Sequence, residues 1–351
     1  MTKKIYVLGA GASVADGLPT MGSLIRDCFI FHFAGKIPSA AYSLIGDIQE
    51  PEILDKSCNV FRVMDAWYKT DLENKMQRYR NSGFVDGNLF YDANRYKEII
   101  EPFFTKLYAI AFENEKDSQL TEKEAKNLYE DAKYFFYHPI CSGQARGHNN
   151  YRKFVSVISR NPDSTIITFN YDLLLEKVLH KTLMKQNDLW SLPWNYCCTL
   201  NNKLQYKFDG PYKYLKMHGS FNWIYNRNND VVELDDVYPK IDAIKKFYLS
   251  DKEIVLIPPK FKKEISMPCL KEVWSVAEKE LSMADEIDFI GYSLPDADKD
   301  AIELFKNRTI QKLVIVDPVT SVREKISGIL KFREKQYYND FKSYLETNVQ
   351  V

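Results

Sequence analysis

Five short sets of residues carry the side chains that chemistry needs, and each stands just after an apolar run. Gly9-Ala10-Gly11-Ala12-Ser13 follows Ile5 to Leu8, and Asn170-Tyr171-Asp172 follows Ser164 to Phe169. His218-Gly219-Ser220 follows Tyr214 to Met217, Gly291-Tyr292-Ser293 follows Glu286 to Ile290, and Asp317 follows Lys312 to Val316. A β-type run ending in Gly-x-Gly brings backbone N–H groups up to a phosphate and lets a nucleotide lie against bare backbone. The third glycine of the dinucleotide fingerprint is absent, since Val14 stands in its place. An asparagine carboxamide orients a water or a hydroxyl, and a neutral histidine accepts a proton near physiological pH. Together these types point to general-base chemistry on a phosphate-bearing ligand.

Each set also has a plainer reading. Gly9 and Gly11 can simply turn the chain after a buried strand, Asn170 can do the same, and Asp172 is well placed to cap a helix. His218 can be a histidine satisfied at a strand end, while Ser293 and Asp317 are ordinary turn residues. What separates the readings is convergence. In an open parallel sheet ligands bind beyond the carboxyl ends of the strands, which is where all five sets would lie.

The elements that must position them follow from the hydrophobic pattern. Ile5 to Leu8 is a strand, the loop from Ser13 to Thr20 lies over the phosphate position, and Leu24, Ile25, Cys28, Phe29 and Phe31 have helical spacing. From Gly35 to Asn150 the chain is aromatic-rich and helical, with segments at Val60 to Tyr68 and Tyr96 to Phe112. A capping box, Thr121 with Glu124, opens a further helix through Lys133. Strand character returns at Ser164 to Phe169, followed by a helix from Leu173 to Leu183 and an irregular excursion from Trp190 to Gly210. Buried-strand runs at Tyr214 to Met217, Ile254 to Ile257, Glu286 to Ile290 and Lys312 to Val316 then alternate with helices at Leu270 to Met283 and Asp298 to Asn307. This rhythm predicts an α/β, Rossmann-like, doubly wound parallel sheet. The expected division is a discontinuous domain at 1–34 and 151–334, a helical insertion at 35–150 and a C-terminal tail at 335–351.

Composition narrows the class. The 351 residues suffice for one large or two moderate domains, and 48 Lys and Arg balance 48 Asp and Glu. That neutrality argues against direct nucleic-acid binding. No apolar stretch approaches ~20 residues and no signal-peptide layout is seen, so no membrane partner and a cytoplasmic location are expected. The six cysteines include no C-x-x-C pair, so no metal is expected.

The order GAGAS, GLPT, TFNYD, KMHGS and GYSLPDAD resembles the sirtuin (silent information regulator) fold, and especially the sirtuin-like NADase domains of bacterial antiphage defence proteins. The resemblance covers the start of the chain and nearly all of residues 150 to 320. It implies NAD as substrate. Gly9, Ala10, Gly11 and Ser13 would hold the pyrophosphate, with Thr20 in the adjoining Gly-Leu-Pro-Thr segment. Asn170 would contact the nicotinamide-side ribose or the attacking water, and His218 would be the general base. Gly291, Tyr292 and Ser293 would line the phosphate and adenosine-ribose site, with Asp317 near that ribose. Protein-deacylating sirtuins carry a four-cysteine zinc module and an Asp-Phe-Arg sequence after Gly-x-Pro. This chain has neither, reading Thr20-Met21-Gly22 instead.

The chemistry so implied is NAD+ glycohydrolase activity, cleaving NAD+ to nicotinamide and ADP-ribose. The leaving nicotinamide is already positively charged, so no general acid is required, unlike ordinary glycoside hydrolysis. Such an enzyme must be restrained in its own cell, so an abortive-infection effector activated by assembly is expected. The expected partners are a second copy of the chain, a HerA-type ATPase, an Argonaute-type protein or another defence component. Trp67, Tyr68, Phe103, Phe104 and Tyr108 of the insertion could form the contact surface or a core. A non-catalytic NAD- or ADP-ribose-sensing scaffold and a sirtuin-type deacylase remain the alternatives.

Overall fold

The computed structural model describes residues 2–20, 23–24, 51–69, 74, 93–143, 148–183, 191–202, 205–208, 210–234, 252–258, 265 and 267–349. Strand β1 (Lys4–Leu8) runs into the short helix α1 (Ala10–Val14); helices α2 (Pro51–Tyr68), α3 (Ala93–Phe112) and α4 (Glu122–Gly143) follow. Then come α5 (Asn149–Ile158), β2 (Thr165–Thr168), α6 (Leu174–Leu183), β3 (Trp194–Asn195), β4 (Tyr212–Lys216), β5 (Gly219–Asn226), β6 (Val231–Leu234) and β7 (Lys252–Leu256). The chain ends with α7 (Pro268–Ser282), β8 (Glu286–Ile290), α8 (Lys299–Phe305), β9 (Thr309–Val316), α9 (Thr320–Ile329), β10 (Lys331–Tyr338) and α10 (Phe341–Asn348).

Seven strands form one sheet in the order β10-β9-β8-β1-β2-β4-β3. Every pairing in it is parallel. The continuous apolar runs have this physical cause, because a sheet covered on both faces must bury successive side chains in both directions. Helices α5, α6 and α10 cover one face, through Phe154 on Tyr6, Glu176 on Tyr214 and Tyr344 on Asp288. Helices α7, α8 and α9 cover the other, through Glu280 on Thr165, Phe305 on Phe289 and Ser327 on Tyr337. The sheet is thus doubly wound, and strand order reverses around β1, which lies between β2 and β8.

Several expectations are corrected. A short helix takes Ala10 to Val14, so the loop expected from Ser13 to Thr20 begins at Ala15. Most of the helix expected at Leu24 to Phe31 lies outside the described residues; Ser23 and Leu24 are helical. The Ile254 to Ile257 run is not a strand of the parallel sheet. It is β7 of a separate three-stranded antiparallel sheet, β6-β5-β7, since β5 offers it a partner directly after the His218 turn. The irregular excursion contains β3, an edge strand of the main sheet. The boundary placed at 334/335 falls inside β10, whose Lys331 to Tyr338 pairs with β9 along its length.

By compactness the chain divides into one unit of residues 1–18, 147–257 and 263–351 and a second of residues 19–146 and 258–262. The second unit has its own core, in which Val60, Met64, Ile100, Phe103, Phe104, Leu107 and Leu128 are buried together. Phe103 and Phe104 therefore cannot serve as an exposed contact surface, and Trp67, Tyr68 and Tyr108 pack against the same core. The capping box is formed: Thr121 N–H donates to Glu124 Oε2 at 2.8 Å and Glu124 N–H to Thr121 Oγ1 at 3.3 Å. Among the described residues no helix is long and apolar enough to cross a membrane.

Candidate functional site

At the carboxyl ends of β1 and β2, Asn170 is the centre of a buried polar cluster. Its Nδ2 donates to the Gly9 carbonyl at 2.9 Å and to Ser13 Oγ at 3.1 Å, which also fixes the carboxamide's orientation. Ser13 Oγ donates in turn to Asp172 Oδ2 at 2.9 Å, so the Tyr151 hydroxyl, 3.0 Å away, must be a donor to Ser13. Burial holds the Tyr151 pKa well above its ordinary value, which keeps that donor proton in place. Asp172 Oδ1 accepts the Leu174 N–H at 3.0 Å, the capping role that its position suggested. The one atom of the Asn170 carboxamide left over, Oδ1, accepts no hydrogen bond from the described residues, and Asn170 is 8% exposed.

Behind this cluster lies a second layer that the sequence did not mark as functional. Lys216 Nζ, with no exposure, donates to the Asp172 carbonyl at 2.6 Å and to Glu176 Oε1 at 2.8 Å. Tyr214 OH donates to Glu176 Oε2 at 3.2 Å. Burial, opposed by Lys216, raises the Glu176 carboxyl above its usual range. An ion pair this deep gains little net stability over apolar packing, but it holds two elements in one arrangement. Here it ties the end of β4 to the start of α6.

His218 follows β4 by two residues and is 4% exposed. Its Nε2 lies 3.3 and 3.2 Å from the two carboxylate oxygens of Asp298, just before α8. Tyr292 OH donates to Asp298 Oδ2 at 2.7 Å. The Tyr292 ring stacks on Phe169 at 4.0 Å with planes 2° apart, and Phe169 meets the His218 ring edge-on at 5.0 Å. With Nε2–H directed at Asp298, the neutral imidazole carries its lone pair on Nδ1. An imidazole held in one tautomer by a buried carboxylate is the arrangement of a general base. Tyr292, expected to line the ligand, has its hydroxyl on Asp298. Asp298 itself was missed, because its partner lies 80 residues away and the only local signal was its place before a helix.

The glycines meet at the β1–β8 crossing. Gly9 N–H donates to the Ile290 carbonyl at 3.0 Å and Gly11 N–H to the Gly291 carbonyl at 2.9 Å. A Cβ on Gly9 would stand 2.5 Å from Gly291 O, and one on Gly291, at φ +61°, would stand 2.3 Å from Ala12 N. These residues are glycine because two backbones touch. Their amides are therefore engaged within the fold, and Ser13 Oγ is engaged with Asp172. Ala10, Gly11 and Ser293 are exposed beside this crossing. Asp317 Oδ1 accepts the Val319 N–H at 2.8 Å, a local turn after β9. Thr20 belongs to the second unit, where its Oγ1 accepts the Ser23 N–H at 3.3 Å.

No protein-family model matches the chain, and no curated protein matches it. Solved structures do. One, described as the structural basis of sirtuin substrate affinity, is 12% identical, with a TM-score of 0.42 over 99% of this chain and 92% of that one. Sir2Tm bound to a propionylated peptide is 13% identical, with a TM-score of 0.40 over 98% of this chain and 91% of that one. A Sir2 homolog–NAD complex is 12% identical, with a TM-score of 0.38 over 99% of this chain and 88% of that one. The chain is thus distantly similar to sirtuin structures; its fold rests on its own strand order and its chemistry on its own side chains.

Proposed function

We propose that the chain is an NAD+ glycohydrolase that releases nicotinamide and ADP-ribose. The observation that carries this reading is a buried imidazole, His218, backed by Asp298 and Tyr292, at the end of the strand next to that of Asn170, whose Oδ1 accepts no hydrogen bond from the described residues. Both stand at the carboxyl ends of neighbouring strands, β2 and β4, beside the place where strand order reverses. A side-chain-poor surface at Ala10 and Gly11 suits a ligand lying along backbone, so the residues present fit a dinucleotide.

In this reading Asn170 Oδ1 accepts a hydrogen bond from a water and holds it in line with the anomeric carbon. His218 Nδ1 takes the water's proton as the new C–O bond forms. The electrons of the C–N bond pass to nicotinamide, which leaves neutral, so no acid is needed. Asp298 stabilises the imidazolium so formed. The setting follows from the resemblance: a cytoplasmic effector of antiphage defence, held inactive until it assembles with itself or with a partner such as a HerA-type ATPase.

The test is NAD+ consumption by the purified chain, alone and with the product of its genomic neighbour. Nicotinamide release that falls about 10²-fold or more in both Asn170→Ala and His218→Ala is expected. Unchanged release in the His218 variant rejects the base assignment. No release under any condition, with tight NAD+ binding, moves the reading to a sensing scaffold.

A further inference from the structure

The acceptor has to reach the substrate on the side where Asn170 and His218 stand, since those groups would orient and deprotonate it. On that side the residue next to Asn170 in the chain stands beside His218 in space. Tyr171 is half-buried, its ring is centred 6.2 Å from that of His218 and 5.9 Å from that of Phe221, and its hydroxyl donates to the Ile257 carbonyl at 2.5 Å. The Ile257 N–H in turn donates to the His218 carbonyl at 2.9 Å. The side chain therefore spans from the end of β2 to the end of β7 and is anchored on Ile257, the residue whose N–H pairs with the carbonyl of the base. Phe169 faces the same imidazole from another direction, 5.0 Å away. His218, with these two rings and Asp298 beside it, is 4% exposed.

From this arrangement, and resting on the glycohydrolase reading, we infer that Tyr171 determines acceptor specificity, admitting water to His218 and excluding any acceptor that carries carbon beside its nucleophilic atom. The bond made is the same in either case. With water, the oxygen joins the anomeric carbon, one proton passes to His218 and ADP-ribose results. With an alcohol, the alcohol oxygen makes that bond, its proton goes to the same nitrogen, and the product is an alkyl ADP-riboside. Nicotinamide leaves with the bond's electron pair in both. The residue thus decides between hydrolysis and transfer by space alone.

The experiment offers methanol as competing acceptor to the full chain, under whichever condition releases nicotinamide, and measures methyl ADP-riboside against ADP-ribose by mass spectrometry. Wild type should form ADP-ribose almost alone. Tyr171→Ala should raise the methyl share by about tenfold or more, the scale on which a pocket discriminates one carbon. Tyr171→Phe, which keeps the ring and loses the anchor on Ile257, should fall between them, and it keeps the test sound if the alanine variant folds poorly. A methyl share equal in wild type and both variants overturns the specificity role while leaving the glycohydrolase reading standing. A wild type that already methanolyses freely overturns it too. Failure of wild type to release nicotinamide at all rejects the underlying reading instead, and the two failures are distinguishable because only the latter lacks nicotinamide.

Discussion

Two buried polar clusters lie on the same face of the main sheet, and they are built on opposite principles. At the carboxyl end, Asn170, Ser13, Asp172, Tyr151, Lys216 and Glu176 form a chain in which donors meet acceptors, with Asn170 Oδ1 accepting no hydrogen bond from the described residues. Towards the amino end, Lys4, Glu286, Asp288 and Tyr344 form a cluster in which Asp288 Oδ1 is buried with no hydrogen-bond partner among the described residues. A satisfied network is rigid, because any rearrangement exposes a polar atom to an apolar interior. A half-satisfied carboxylate answers instead to pH. The two clusters share burial and differ in how fully their donors and acceptors are matched.

Breaking the rigid cluster should have the largest effect. Lys216→Met leaves the buried Glu176 without its counter-charge, holding the Tyr214 and Tyr196 hydroxyls, and should cost about 3–5 kcal/mol of stability by chemical denaturation. Lys216→Met with Glu176→Leu should recover most of that, because apolar packing replaces a pair of doubtful net worth. If activity returns with stability in the double variant, the pair is scaffolding only. If stability returns and turnover stays low, it also holds the Asp172 carbonyl, and through Asp172 the Ser13 and Asn170 chain, in working register.

Gly291→Ala strikes the same region through the backbone. Its φ of +61° is strained for alanine, and the new Cβ would meet Ala12 N at 2.3 Å. A loss of about 1–3 kcal/mol, read as a lowered Tm, is expected. Asp298→Asn should be smaller still in stability. It should nonetheless lower kcat by about tenfold and move the pH limb set by His218 to lower pH, because the imidazolium loses its counter-charge. An unchanged pH profile would reduce Asp298 to a helix-end residue.

Much of this was legible in the sequence, for reasons that particular residues show. The strands around β1 are continuous apolar runs alternating with helices, so their existence and their place in a sheet covered on both faces follow from pattern. Asp172 announced its cap and Thr121 with Glu124 their box, because capping is local chemistry. Asp298, Tyr151 and the Lys216–Glu176 pair were not legible. Each acts through a partner far along the chain, and a buried lysine looks like a surface one until its strand is placed. The glycines at 9, 11 and 291 were read for a ligand, and 9 and 11 also for a turn; the structure adds that they stand where two backbones touch. β7 was misplaced because a short buried run has the same pattern in a parallel or an antiparallel sheet.

The smallest effect belongs to the half-satisfied cluster. Burial pushes the Asp288 carboxyl up to about 6, against Lys4, which lowers it, and with Glu286, which adds to the rise. Burial alone would lower Lys4, but the Asp288 and Glu286 carboxylates raise it overall. An acid whose folded pKa lies above its unfolded value binds more protons when folded, so its contribution is fully present below the unfolded pKa and is lost as pH rises. Stability should therefore fall between about pH 4 and pH 6 by roughly 1–3 kcal/mol on account of this group. Glu280, opposed by burial but held down to about 2 by Lys213 and Lys3, works in the other direction, and its contribution is lost at still lower pH. Asp288→Asn, measured by denaturation across pH 4 to 7, should flatten the fall while retaining an acceptor for the Tyr344 hydroxyl. Wild type and variant with parallel pH profiles would mean that Asp288 stays ionised throughout, and that the two clusters differ in partner count alone.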